Sequence, residues 1–197
     1  MDNFHLFELI NASPGLGPGR LWLAIMLARW LIVLVPAGMA LAWLRGDPVA
    51  RRELLEMLLA TALALAVAQL ITHAWPQPRP FALHMGTQYI EHGADPGLPS
   101  DHVTVFWSLA LASLMTRRFA VLSFPLLAAG LAAGWSRVFL GVHFPFDILA
   151  ALPVATVGAL VARALRPAAM PLMAQVLHLY DRLANAARSW WTAARKS

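Results

Sequence analysis

The sequence contains no cysteine and few charged residues. The lack of cysteine excludes a disulfide scaffold, a thiolate zinc site, an iron–sulfur cluster and a cysteine nucleophile. Only 13% of the residues are charged, against about 25% in ordinary soluble domains. Long polar stretches are also missing, and 59% of the residues are hydrophobic, which excludes an intrinsically disordered chain. These features together favour an integral membrane protein.

Five apolar segments predict an all-α fold, a polytopic membrane bundle of about five to six transmembrane helices. The first segment would be about 36 Å long as a helix, enough to cross a bilayer with some tilt. The last three are short for a span, which needs about 20 residues, so their polar ends should dip below the membrane surface. The five segments are residues 21–44, 54–72, 103–115, 119–135 and 148–162.

Three parts of the chain differ in character. Residues 1–19 contain a short apolar helix followed by a turn and predict an N-terminal interfacial segment. Residues 20–167 hold all five apolar segments and form one membrane domain. Residues 168–197 mix apolar and basic side chains, so we expect an amphipathic helix on the membrane surface rather than a sixth span.

The arginines predict the orientation of the bundle, because cytoplasmic connections carry an excess of basic residues. One set of connections and chain ends contains Arg45, Arg51, Arg52, Arg117, Arg118, Arg163 and Arg166, and the other contains Arg20, Arg79 and Arg137. The first set therefore belongs in the cytoplasm, and connections 76–100 and 136–146 lie outside. Because the basic residues fall between apolar runs and not on one polar face, no nucleic-acid partner is expected.

Three polar clusters share the outer side. They are Arg79-Pro80 in PQPRPF, Ser100-Asp101-His102 in LPSDH, and Ser136, Arg137, His143 and Asp147 in SRVFLGVHFPFD. Two arginine forks can hold the oxygens of a phosphoryl group, and a serine at a helix start adds anion-binding donors. One histidine can attack phosphorus while the other protonates the leaving oxygen. An aspartate four residues after a histidine can orient the imidazole, so the clusters predict phosphoryl transfer.

These clusters resemble the signature of the type 2 phosphatidic acid phosphatase superfamily of membrane lipid phosphatases. The family pattern is Lys-x6-Arg-Pro, then Pro-Ser-Gly-His, then Ser-Arg-x5-His, on a helical bundle. The matching residues are Arg79-Pro80, Pro99-Ser100-x-His102, and Ser136-Arg137 followed by His143. The PSDH and LGVHFPFD segments are similar to the bacitracin-resistance branch, the undecaprenyl-diphosphate phosphatases.

The resemblance implies an activity and a set of roles. It implies removal of the terminal phosphate from undecaprenyl diphosphate through a phosphohistidine intermediate, to recycle the lipid carrier of cell-wall synthesis. It implies a bacterial inner-membrane protein with a periplasm-facing site and no metal or other cofactor. The implied catalytic residues are His143 as nucleophile, His102 as general acid and Asp147 as orienting group. The implied phosphate-binding residues are Arg79, Arg137, Ser100 and Ser136.

Two positions depart from the family pattern. Thr72 occupies the position of the family's lysine, so one phosphate-binding cation is missing, and neighbouring His73 is a candidate substitute. Asp101 occupies the position of the family's glycine. Two interpretations of Asp101 stay open: a cap of the helix that begins there, or a group that tunes the pKa of His102.

Several alternatives follow from the same residues. The enzyme could act on another lipid phosphate, such as phosphatidylglycerophosphate, phosphatidic acid or lipid A, or the chain could be a non-catalytic binding or transport protein. His102, His143 and Asp147 could ligate zinc, but two arginines beside them would repel a cation. Polar residues of the outer connection, His73, His84, Glu91, His92 and Asp95, are interpreted as loop residues outside the site.

The predicted topology can be tested with thiol labels because the chain has no cysteine of its own. We expect a cysteine introduced as Ala94→Cys to react with a membrane-impermeant maleimide added to whole cells. The matched variant Arg117→Cys, in a cytoplasmic connection, should react only after the membrane is permeabilised. The reverse pattern of labelling would overturn the orientation.

Overall fold

The computed structural model describes residues 2–195, and within that range the chain is helical with no β-strand. The all-α prediction is therefore confirmed. The helices are α1 (Asn3–Ile10), α2 (Pro18–Ile25), α3 (Leu34–Arg45), α4 (Pro48–Ala74), α5 (Asp101–Ser113), α6 (Ser123–Phe139) and α7 (Pro145–Ala194). A π-helical turn, Met26–Trp30, and a 3₁₀ turn, Leu31–Val33, join α2 to α3 without a break.

Four helical stretches in the described residues are long and apolar enough by themselves to cross a membrane. They are Pro18–Arg45, Pro48–Ala74, Ala120–Phe139 and Pro145–Trp191. The remaining apolar segment forms α5, whose 13 residues extend about 20 Å, less than the roughly 30 Å hydrocarbon core. Helix α5 packs against α4, α6 and α7, and it joins the connection that ends at Ser100 to the connection that contains Arg117 and Arg118, so it is a short central helix on which the chain makes a fifth passage through the bundle.

Small residues let the central helices approach closely. A Cβ at Gly158 of α7 would lie 2.7 Å from the Ala60 carbonyl oxygen and 2.7 Å from the Ala64 nitrogen of α4. A Cβ added at Gly134 of α6 would likewise lie 2.6 Å from the side chain of Ile148, which occupies that space. Close backbone contact of this kind drives helix association in lipid, where the hydrophobic effect does not.

The arginine-rich connections meet at one end of the bundle, as predicted. The buried carboxylate of Glu53 in α4 accepts hydrogen bonds from the backbone N–H groups of Arg117 and Arg118, both at 3.0 Å. Glu56 pairs with Arg166 of α7 at 2.9 Å. These contacts tie the α4 start, the α5–α6 connection and the α7 chain together, so the outer clusters collect at the other end.

The N-terminal segment is more than an interfacial helix, because it docks onto the outer end of the bundle. Phe7 of α1 is fully buried, with its ring edge-on to Phe144 at 5.2 Å between centroids. Asn11 accepts a hydrogen bond from the Thr87 N–H and donates to the Phe139 carbonyl. Helix α1 and Asn11 therefore pack against the connection that carries His143.

The C-terminal tail differs from the predicted separate surface helix. Helix α7 runs unbroken across the expected boundary at 167–168, with Pro167 and Pro171 inside it. Its extension contacts the start of α4, where Arg51 lies 4.3 Å from the centre of the Tyr180 ring and 3.7 Å from Asp181. The tail is thus continuous with the last span up to Ala194, and residues 196–197 of the predicted tail lie outside the described residues.

Because α1 docks through the buried ring of Phe7, we predict that shortening this side chain destabilises the protein strongly. We expect Phe7→Ala to lower the free energy of unfolding by roughly 3–5 kcal/mol, because a buried ring leaves a cavity. Thermal unfolding in detergent, followed by circular dichroism, measures the change. The matched variant Phe124→Ala removes a ring that is 77% exposed and should change stability far less. Equal losses in the two variants would show that α1 is not docked in this way.

Candidate active site

A polar cavity of about 480 Å³ lies at the end of the bundle opposite to the arginine-rich connections. Its walls come from the end of α4, the connection between α4 and α5, the start of α5, the end of α6 and the segment before α7. Most of its lining residues are polar or charged, including Arg79, Asp101, His102, Arg137 and His143. With Thr72 and His73, seven of the sequence-predicted residues, distant along the chain, therefore share one cavity.

His143 and Asp147 form a hydrogen-bonded pair at its base. The Asp147 carboxylate lies 3.2 Å from His143 Nδ1 and also accepts from the Phe144 N–H at 2.9 Å. Because Asp147 accepts and Arg79 Nη1 donates to Nε2 at 3.0 Å, the proton belongs on Nδ1 and the lone pair on Nε2. This tautomer places the lone pair on Nε2, which can act as a nucleophile once the Nη1 donor of Arg79 turns from the ring to a bound anion.

The protonation state of His143 follows from its surroundings. Burial, assisted by the positive charges of Arg137 and Arg79, lowers the pKa of His143 well below its ordinary value. The imidazole is therefore neutral at pH 7. A neutral ring retains the lone pair that attack on phosphorus requires.

Arg79 is buried and fully engaged by its neighbours. Its Nε donates to the Asp95 carbonyl at 2.8 Å, and its Nη2 donates to the Asp95 carboxylate at 2.9 Å. Its Nη1 donates to the Val142 carbonyl at 3.0 Å as well as to His143. These bonds fix the guanidinium directly beside the histidine that carries the lone pair.

Arg137 is equally buried but incompletely engaged. Its Nη1 donates to the Ala28 carbonyl at 3.3 Å, a group within the π-helical turn of the first span. Its Nη2 donates to His92 Nε2 at 2.9 Å, while its Nε is buried with no hydrogen-bond partner among the described residues. A buried guanidinium with an unused donor is suited to an anionic oxygen.

The LPSDH segment opens α5. Ser100 occupies the N-cap position, yet its hydroxyl caps nothing and is buried without a partner among the described residues. Asp101 is the first residue of the helix, and its carboxylate accepts weakly from the Gln69 amide at 3.4 Å, so it is not the cap. His102 follows and lines the cavity. The Ser100 hydroxyl is a second unused donor; Ser100 is fully buried just behind the cavity lining, where its backbone N–H donates to the Asp147 carbonyl at 3.0 Å.

Three predicted phosphate ligands are placed less favourably. Ser136 is fully buried, lies outside the cavity lining and donates its hydroxyl to the Ala133 carbonyl at 2.7 Å. Thr72 lines the cavity, but its hydroxyl donates a hydrogen bond to the Leu98 carbonyl at 2.9 Å. The His73 ring, also at the cavity wall, lies 2.7 Å from the Gln69 carbonyl through Nδ1. Backbone carbonyls therefore engage all three side chains.

His92 and Asp95 belong to the cavity, so their interpretation as loop residues outside the site was wrong. His92 contacts Arg137, Asp95 contacts Arg79, and the His92 ring centre lies 6.3 Å from that of His143. Ion pairing with Arg79, opposed by partial burial, lowers the pKa of Asp95 and keeps it ionised. The only signal in the sequence was a His-x-x-Asp spacing shortly before LPSDH, in a connection without periodicity.

Gly97 is another residue that the sequence did not single out. A Cβ at this position would lie 3.0 Å from the Asp147 carboxylate and 3.3 Å from Cγ of Arg79. Only a residue without a side chain lets the connection pass this close to both groups. Gly97 therefore sets the spacing between the connection and the His143–Asp147 pair.

Comparison with known proteins agrees with this geometry. The model of the PAP2 superfamily matches residues 53–171. "Putative undecaprenyl-diphosphatase YbjG" of Escherichia coli is 38% identical over 161 residues, 82% of this chain and 81% of that protein. "Undecaprenyl-diphosphatase BcrC" of Bacillus subtilis is 27% identical over 183 residues, 93% of this chain and 94% of that protein.

A solved structure has the same fold. The crystal structure of Aquifex aeolicus LpxE superposes with a TM-score of 0.64 at 19% identity, covering 81% of this chain and 93% of that one. The apolar helices, the sequence match and the fold agree that this multi-pass membrane protein belongs to the PAP2 superfamily.

Proposed function

We propose that the protein hydrolyses undecaprenyl diphosphate to undecaprenyl phosphate and inorganic phosphate. The observation that carries this proposal is the neutral His143, whose Nε2 lone pair faces a cavity containing two buried arginines. The names of two relatives that match most of the chain support the lipid diphosphate as substrate. The superfamily membership supports phosphatase chemistry on a membrane lipid.

The first step transfers the terminal phosphoryl group to His143. Nε2 attacks phosphorus, a P–N bond forms, and the P–O bond of the anhydride breaks in line with it. Asp147 stabilises the positive charge that develops on the imidazole, through the hydrogen bond at Nδ1. Burial and the charges of Arg137 and Arg79 lower the pKa of His102 to about 4 in the absence of substrate. His102 therefore gains its proton when the anionic substrate offsets those charges, and it then gives that proton to the departing lipid phosphate.

The second step releases phosphate from the phosphohistidine. His102, now neutral, takes a proton from a water molecule as its oxygen attacks phosphorus and the P–N bond breaks. Arg137, Ser100 and Arg79 hold the equatorial oxygens, where negative charge is spread in both transition states. Arg79 does so through the Nη1 donor that His143 Nε2 releases when it attacks phosphorus. The unused donors of Arg137 and Ser100 are the groups that a phosphoryl oxygen would satisfy. Ser136 has no part in this proposal.

We further propose that the cavity faces the periplasm of a bacterial inner membrane. The arginine-rich end, with Arg117 and Arg118 bound to Glu53, would then face the cytoplasm. An outward site would meet the diphosphate lipid that is left after the carrier delivers its cargo for cell-wall synthesis. Recycling of that lipid is the process in which bacitracin resistance would arise.

The substrate is tested by phosphate release from purified protein in EDTA. We expect the highest kcat/KM for undecaprenyl diphosphate in a panel that also contains phosphatidylglycerophosphate, phosphatidic acid and lipid A. Preference for a glycerolipid would sink the assignment of the substrate. Loss of activity in EDTA would contradict a reaction carried out by protein side chains alone. Absence of phosphate release from every lipid in the panel would favour a binding protein.

The proposed roles predict a graded series of variants. We expect His143→Ala to lose more than about 10³-fold in kcat, because the change removes the nitrogen that forms the P–N bond. Asp147→Asn and His102→Ala should each lose about 10²–10⁴-fold. His178→Ala, at an exposed position of α7 far from the cavity, is the matched control and should keep full activity. Full activity in His143→Ala would remove the proposed nucleophile.

A further inference from the structure

Each of the two buried arginines in the cavity has a titratable partner in the connection between α4 and α5. Asp95 accepts from Arg79 at 2.9 Å, and His92 accepts from Arg137 at 2.9 Å. The two partners stand three residues apart, with His92 Nδ1 3.6 Å from the Asp95 carboxylate. The proposed chemistry uses neither residue, although both line the cavity.

One tautomer of His92 satisfies its contacts. Because Arg137 can only donate, Nε2 carries the lone pair, and Nδ1–H can donate to the Gly93 carbonyl at 3.1 Å. Burial, together with the positive charges of Arg79 and Arg137, lowers the pKa of His92. The ring is therefore neutral in the absence of substrate and occupies a donor of Arg137.

The charges that face His92 come from several elements. Arg137 lies on α6, Arg79 and Asp95 on the connection, His102 on α5, and His143 before α7. An oxygen of a phosphate bound to Arg137 would replace His92 Nε2 as the acceptor of the Nη2 hydrogen bond. Its negative charge would also offset the positive charge that lies nearest to His92. Both changes favour protonation of the displaced imidazole, and the carboxylate of Asp95 then lies within reach of its Nδ1.

A diphosphate brings more negative charge than the two arginines can balance. Each phosphate contributes between one and two negative charges near neutral pH, and Arg79 is already paired with Asp95. Of the other histidines at the cavity, His143 and His102 have roles in the reaction itself. His73 is engaged by a backbone carbonyl and contacts neither arginine. His92 is the remaining group that can gain a proton beside Arg137.

We propose that His92 is the residue that selects a diphosphate over a monophosphate. It releases Arg137 to the terminal phosphate and, as an imidazolium held by Asp95, binds the second phosphate of the lipid. This assignment rests on the proposed function of the same cavity. It makes His92 a binding residue of the second phosphate, which remains on the lipid after hydrolysis.

The assignment is tested by kinetics of His92→Gln and His92→Ala on lipid diphosphate and on lipid monophosphate. Gln keeps a polar group of similar reach but gains no proton. We expect both variants to raise KM for undecaprenyl diphosphate about tenfold or more, the loss of one charged hydrogen bond, and to change KM for phosphatidic acid less than twofold. His178→Gln, the matched control, should change neither value.

The pH profile separates recognition from a merely structural role. In the parent protein, KM for the diphosphate should rise as pH increases and the bound imidazolium loses its proton. In His92→Gln, KM for the diphosphate should not rise with pH over the same range. Equal losses on both substrates, or an unchanged pH profile, would overturn the proposal. A tenfold effect in His73→Gln and none in His92→Gln would also overturn it, in favour of His73.

A binding measurement distinguishes failure of this proposal from failure of the proposed function. Thermal stabilisation by inorganic pyrophosphate and by inorganic phosphate is compared in the parent protein and His92→Gln, without any turnover. We expect pyrophosphate to stabilise the parent more than phosphate does, and His92→Gln to lose that difference. Retention of the difference in His92→Gln would overturn the role of His92 even if undecaprenyl diphosphate is hydrolysed. Its loss would support the role even if no lipid is hydrolysed.

Discussion

Two guanidinium groups buried in one cavity are the constraint on which the rest of the structure depends. Arg79 and Arg137 are 4% and 3% exposed, and charges so far from water are costly unless they are paired and hydrogen-bonded. The surrounding chain meets that demand with carbonyl oxygens at Ala28, Val142 and Asp95. The irregular backbone around the cavity therefore supplies free carbonyl acceptors where the two arginines need them.

The helical bundle makes this irregular backbone possible. Regular helices use their own carbonyls, so free acceptors arise at the π-helical turn of the first span and in the connections before α5 and α7. Close packing at Gly158 and Gly134 brings the long helices together within the bundle. The shortness of α5 then lets Ser100 and His102 enter the bundle from its outer end.

The motif residues were the part of the site that the sequence could predict. His143, Asp147, His102, Arg79 and Arg137 were named from spacing and residue type, and all of them surround or support one cavity. Ser136 shows the limit of that reasoning, because helix geometry turns its hydroxyl toward the Ala133 carbonyl. A motif specifies which residue types are present, but the phase of the helix decides which of them faces the ligand.

His92, Asp95 and Gly97 were missed for a different reason. They lie in a connection without hydrophobic periodicity, and a polar residue in such a segment has no sequence feature that tells a ligand from a solvated side chain. Their importance comes from partners 16 or 45 residues away, Arg79 and Arg137. Only the folded chain brings those groups within hydrogen-bond distance.

Hydrophobic length and arginine placement in the sequence predicted the membrane bundle, the end at which the polar clusters gather and the residue types that line the cavity. These are local properties of the chain, and the lipid environment acts on them directly. Only the folded chain shows that the short α5 is buried at the centre of the bundle, that α7 continues unbroken into the tail, and that His92 accepts a hydrogen bond from Arg137. These outcomes depend on contacts between distant segments, whose energies no local pattern encodes.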